Sequence, residues 1–118
     1  MGKEFKNEFG KIIIAEEVFA NLAGTAAMEC YGLVGMASQK IKDGIAELLG
    51  MEALSKGVQV TITNEQVEID LFIIVIYGIK ISEVAHNIIS KVRYAIETAT
   101  GEEVIRVNVK VQSVRVVD

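Results

Sequence analysis

The stretch Val67 to Tyr77 reads V-E-I-D-L-F-I-I-V-I-Y, and its pattern changes halfway. Val67, Ile69 and Leu71 alternate with Glu68 and Asp70, which describes a strand wet on one face. From Leu71 onward both faces are apolar: Ile73, Val75 and Tyr77 continue one, and Phe72, Ile74 and Ile76 fill the other. β-Branched and aromatic residues dominate, so strand is favoured over helix. A strand of this kind needs cover on its second face as well as its first. The pattern therefore places it at the centre of a sheet.

The flanking patterns supply the other elements. Residues 57–63 alternate Val58, Val60, Ile62 against Gln59, Thr61, Thr63, and Asn64-Glu65-Gln66 turns the chain, so a β-hairpin leads into the central strand. Ile81 to Ala99 places Ile81, Val84, Ala85, Ile88, Ile89, Val92, Ala95, Ile96 and Ala99 on one stripe at three- and four-residue spacing, and Thr100-Gly101 stops the helix. Val104 to Val117 alternates Ile105, Val107, Val109, Val111 and then shifts phase to Val114 and Val116. That shift predicts a bulge near Gln112-Ser113. Upstream, residues 10–14 read as a short strand running into a helix over about 15–30, opened by Glu16 and Glu17, which complement its dipole. Small residues (Ala23, Ala26, Ala27) on that helix allow a close approach, and Gly24 marks a tight crossing. Residues 31–38 fit a short buried strand or a tight turn. Asp43-Gly44 reads as a turn, and residues 45–49 before Gly50 read as a short helix with a glycine cap. Residues 1–9 show no periodicity and read as a mobile lead-in to a single domain over 10–118.

The order strand, helix, variable middle, strand, strand, helix, strand is a split β-α-β arrangement. The expected class is α+β, with a mixed sheet and two main helices packed on one face. Ile69, Leu71, Ile73 and Val75 would then meet the helices. Phe72, Ile74 and Ile76 would lie on the open face, where a single copy would expose them and a second copy could cover them. The competing expectation is that a helix or the Gly32–Ser38 segment folds over that face.

Composition narrows the function. Of 118 residues 51% are hydrophobic, which argues for a packed core. No apolar run reaches the roughly 18 residues that span a bilayer, and residues 1–10 lack the apolar centre of a signal peptide, so the expected location is cytoplasmic, without direct membrane insertion. The net charge of −4 is evenly divided: residues 1–59 and 60–118 each hold six Lys/Arg and eight Asp/Glu. The basic footprint of a nucleic-acid binder is absent. A lone cysteine, Cys30, excludes an internal disulfide and a cysteine-cluster metal site, and no cofactor is implied.

Candidate chemistry is sparse. His86, the one histidine, sits on a polar helix flank without partners at metal or catalytic spacing and reads as a surface residue. Cys30 reads as a small buried thiol. Glu68 and Asp70 share a strand face, and an acid/base pair there would need a pocket that separates their pKa values. Gly32-Leu33-Val34-Gly35 has the G-x-x-G outline of a KH loop, with Lys40 and Lys42 as nearby cations, but its middle residues are apolar where a phosphate clamp would be basic.

Six stretches taken together carry a resemblance: G-K-I-I-I-A-E-E-V, A-G-T-A-A-M-E-C-Y-G-L-V-G-M-A, K-G-V-Q-V, V-E-I-D-L-F-I-I-V-I-Y-G, I-S-E-V-A-H-N-I-I-S-K-V and V-N-V-K-V-Q-S-V. From about Gly10 to Val116 the chain resembles the alkaline shock / general-stress protein family of Gram-positive bacteria, in particular its small, domain-only members. The resemblance implies a non-enzymatic protein linked to envelope stress and envelope homeostasis. It implies self-assembly, a separate membrane-anchored partner protein, and an association with fatty-acid kinase and phospholipid metabolism. It offers no catalytic residues. The expectation is a scaffold or adaptor domain working through a homo-oligomer. The alternatives are a KH-like RNA-binding module resting on Gly32 to Gly35, and an enzyme or carrier for lipid precursors between helices and sheet.

Overall fold

The computed structural model describes residues 2–42 and 45–116, and for residues 40–42, 45 and 46 the backbone alone. Strand β1 (Gly2–Asn7) pairs antiparallel with β2 (Gly10–Ala15), and helix α1 (Glu16–Met28) follows directly. Strands β3 (Leu33–Lys42) and β4 (Ile45–Leu48), a 3₁₀ segment (Met51–Gly57), β5 (Val58–Thr63), β6 (Gln66–Ile76), helix α2 (Ile81–Thr100) and β7 (Val104–Arg115) complete the chain. The α+β class and the two main helices on one sheet face are as expected. Three expectations are corrected. Residues 2–7 form a paired strand, not an unpaired lead-in, and β2 joins β1 in a separate two-stranded ribbon instead of entering the main sheet. Residues 45–48 are strand where a short helix was expected, because they pair back on β3. The Asp43-Gly44 turn lies outside the described residues.

The central strand is β6, and three partners share its two edges. The Ile76 amide donates to the Gly32 carbonyl and the Tyr77 amide to the Arg115 carbonyl. Successive amides point to opposite edges, so β3 and β7 flank β6 on different sides. β5 occupies the β3 side along residues 66–71 and β3 takes over along 73–75, while β7 runs parallel along the whole other edge. The parallel β6–α2–β7 step is the crossover unit expected for helices on one face. Val111 pairs with Ile73 and Ser113 with Ile74, leaving Gln112 as the extra residue of a bulge, where the phase shift of the sequence places it. The hairpin loop is only Asn64-Glu65, with φ of 50° and 69°; both residues are left-handed, which matches the twist of the flanking strands.

The inward face of β6 (Val67, Ile69, Leu71, Ile73, Val75) is fully buried against Val84, Ile88, Val92 and Ile96 of α2 and Phe19, Ala23 and Ala27 of α1. α1 lies close because its packed stripe is small. A Cβ at Gly24 would stand 3.3 Å from Leu54 Cβ, so the tight crossing is with the 3₁₀ segment. α2 ends on Gly101 at φ 77°, the left-handed cap that returns its amide to the Glu97 carbonyl.

Candidate interaction surface

The apolar outer face of β6 is not open. Ile74 is 0% exposed and Phe72 8%, and Ile76 is half-buried. The expectation that a single copy would expose Phe72, Ile74 and Ile76 is therefore corrected. The cause is a change of lane. Beyond Met36 the edge of β6 belongs to β5, so β3 leaves the ladder and pairs with β4 from Ala37. It passes over the outer face: Ala37 and Val34 close on Phe72 and Ile74, and Gln112 of β7 reaches the Ser38 and Gln39 carbonyls at 3.5 Å. Lys110 Nζ sits 5.3 Å over the Phe72 ring and covers its remaining side.

The Gly32–Gly35 segment is not a KH-type loop, which corrects that reading too. Gly32 and Gly35 are both buried, Gly35 pairs with Ile74 inside the sheet, and Leu33 pairs with Val75. Both glycines are enclosed in the packed fold and are not presented on a loop that could clamp a phosphate. Lys40 and Lys42 lie on β3, and their side chains are outside the described residues.

The polar candidates are quiet as well. Asn108 Nδ2 donates to Glu68 Oε2 and to Asp70 Oδ1, each at 2.8 Å, and so bridges the two carboxylates across the β6–β7 ladder. Arg106 stands 3.9 Å from Glu68. The two carboxylates are thus tied into one polar cluster that spans the β6–β7 ladder. His86 is exposed on α2. Burial pushes the Cys30 thiol up against the pull of Lys91, and the thiol donates to the Ala26 carbonyl at 3.7 Å, the environment of an inert cysteine. Among the described residues no three His, Cys, Asp or Glu side chains are grouped to hold a metal ion.

The surface that sequence reasoning missed is the β1–β2 arm. Directly opposite residues share a face, so Lys3, Phe5, Ile12 and Ile14 form one face, and Glu4, Lys6, Lys11 and Ile13 the other. The arm is docked only at its root. Lys3, 5% exposed, donates to the main-chain carbonyl and to Oε2 of Glu65 (3.1 Å to the latter) and ion-pairs with Glu102 at 3.3 Å, while Ile14 packs on the core. Beyond the root this apolar face continues into solvent at Ile12, 64% exposed, while the turn adds Phe9 at 90% and the opposite face Ile13 at 59%. The tip is a tight turn in which Asn7 Oδ1 accepts from the Phe9 and Gly10 amides. A radius of gyration of 15.0 Å, against about 13.5 Å for a compact chain of this length, fits an arm standing off the body.

Lys3 is the latch. Burial pulls its pKa down, but the hydrogen bonds and charges of Glu65 and Glu102 outweigh that and hold it above its ordinary 10.5. Lys3→Met should lower stability by about 1–3 kcal/mol, the scale for losing hydrogen bonds to charged groups, and residues 2–15 should lose amide protection before the rest. The folded value is the raised one, so the latch is complete below about pH 10.5 and fades as pH climbs through the folded value. The melting-temperature gap between wild type and Lys3→Met should accordingly close in strong alkali. An equal gap at every pH would contradict the latch.

Comparison with known proteins gives this architecture a family. The chain is 52% identical over 117 residues to the uncharacterized protein YloU of Bacillus subtilis (strain 168), covering 98% of each chain. It is 40% identical over 109 residues to the uncharacterized protein Spy1614 of Streptococcus pyogenes serotype M6, covering 92% of this chain and 90% of that one. A solved structure of a MamM variant aligns with TM-score 0.47 and 17% identity, over 86% of this chain and 85% of that one. The family model that matches, over residues 4–116, is described as having a cell envelope-related function. By that match the chain belongs to the alkaline shock protein 23 family.

Proposed function

We propose that this chain is a non-enzymatic interaction domain serving the cell envelope, acting by self-association and by docking a partner. One observation carries the reading: a two-stranded arm whose apolar residues Phe9, Ile12 and Ile13 are exposed beyond the point where its own body supports it. An isolated two-stranded ribbon is marginal in water, and an apolar surface of this kind marks a contact with another molecule. The family's envelope-related description supports the setting. No helix among the described residues is long and apolar enough to cross a membrane, so the reading places contact with the membrane in a separate anchored protein. A fatty-acid-kinase-related protein is the second partner that the family resemblance brings into the proposal.

Sedimentation velocity on the full chain, from low micromolar to tenths of millimolar, should show the sedimentation coefficient rising with concentration. A monomer across the whole range would refute self-association.

A further inference from the structure

We infer that the arm of one copy enters a groove on a second copy, formed by the start of α1 and strand β5, in a reciprocal exchange. This rests on the self-association proposed above and names its site.

The groove has a volume of about 230 Å³ and is lined by Glu16, Glu17, Ala20, Ser55, Val58 and Val60. Ala20, Val58 and Val60 give it apolar surface, and Glu16 and Glu17 make it acidic. β5 pairs only with β6, so no described strand closes its outer edge. The arm carries the complementary groups. It presents exposed Phe9 and Ile12, with Lys6 directly opposite Lys11 on the adjoining face. Like charges directly opposite each other destabilise a ribbon; within the arm Glu4 reaches Lys11 only at 4.0 Å, and an acidic partner lowers that cost further. The arm holds three lysines and two glutamates, so the remainder of the chain holds the balance of the −4, a net −5. The same numbers disfavour an anionic lipid surface. Glu4 and Glu8 lie among the arm's lysines, and the acidic body would be repelled with them.

Placement makes the exchange close on itself. The groove begins at Glu16, and the arm ends at Ala15. An arm therefore ends beside the groove of its own copy and points away from it. Ala15 to Gly10 spans about 17 Å of strand. Two copies whose arm roots stand about that far apart can each seat the other's tip, with the arms side by side and antiparallel. Such a contact is isologous and stops at two copies.

The test uses the full chain. Phe9 is 90% exposed, so Phe9→Asp should keep the wild-type circular dichroism spectrum. It should weaken dimerisation by roughly tenfold or more, the effect of removing a central aromatic anchor. Glu17→Lys and Lys11→Glu should each weaken it, and the two together should restore it. In a Cys30→Ala background, Phe9→Cys with Ser55→Cys should give a disulfide-linked dimer under oxidation. A wild-type dimer indifferent to Phe9→Asp, or to Glu17→Lys, overturns the arm-in-groove contact and leaves self-association standing. A wild type that is monomeric throughout overturns both. Sedimentation of wild type, but not of Phe9→Asp, with phosphatidylglycerol vesicles, alongside a dimer that ignores the variant, makes the arm a lipid anchor and also overturns the inference.

Discussion

Ile74→Lys should unfold the outer layer of the sheet and cost most of the stability of the domain; it should not yield a folded protein of smaller assembly state. Ile74 is fully buried among Phe72, Ala37 and Val34. Truncating a buried isoleucine to alanine costs about 2–5 kcal/mol. Placing an unpaired ammonium there adds a further desolvation cost of several kcal/mol. Domains of this size hold only about 5–15 kcal/mol in total, so the lysine variant has little left. Ile74→Ala, by contrast, should stay folded with a clearly lowered melting temperature. Because this outer cluster is separate from the main core, proteolysis should cut the β3–β4 ribbon first in both variants. A lysine variant with the wild-type melting temperature and a changed sedimentation coefficient would mean that the face is open after all.

Which parts of the fold the sequence discloses follows from which signals are local. The helix α2, the β5–β6 hairpin and the Gln112 bulge are each written in one continuous stretch, through periodicity, a turn or a phase shift, and each is found in place. The covering of Ile74 is not local. It depends on β3 being displaced from the β6 edge by β5, two elements about twenty residues apart, and nothing in the run Leu71 to Tyr77 records whether its second face is met by its own chain or another's. The 45–49 stretch is ambiguous for the same reason, since five residues with two leucines fit a short helix until a partner strand is present. The arm has no clear signature in the sequence because its hydrophobic residues do not alternate cleanly: Ile12, Ile13 and Ile14 are consecutive, and Phe5 and Phe9 are separated by charges. The only available signal was the Asn7-Glu8-Phe9-Gly10 turn between two short β-prone runs. Lys3 carries no sequence mark of burial at all. Its latch depends on Glu65, which takes a left-handed backbone although it is not glycine, and which uses both its carbonyl and its carboxylate on that one lysine.

Gly32→Ala should be strongly destabilising for a single added methyl, and it separates the packing role of the G-x-x-G segment from a ligand role. Gly32 turns the chain from α1 into β3 at φ +91°, a region that costs an L-residue about 1–2 kcal/mol. A Cβ there would lie 2.8 Å from Val84 Cγ2 and 3.1 Å from Ile79 Cδ1, both wedged at the start of α2, and such overpacking typically adds about 1–3 kcal/mol. Gly35→Ala is the matched control. Its Cβ would meet Leu48 Cδ1 at 2.6 Å, the far methyl of a side chain that is itself 38% exposed and free to swing aside, and its φ lies outside the left-handed region. The loss at Gly32 should therefore exceed the loss at Gly35 by about 1 kcal/mol or more, read from chemical denaturation. Val84→Ala should recover part of the Gly32→Ala loss and none of the Gly35→Ala loss, because it removes the methyl that the first clash meets and is remote from the second. Equal losses at the two glycines, or no recovery from Val84→Ala, would show that the turn is not seated against α2 in this way.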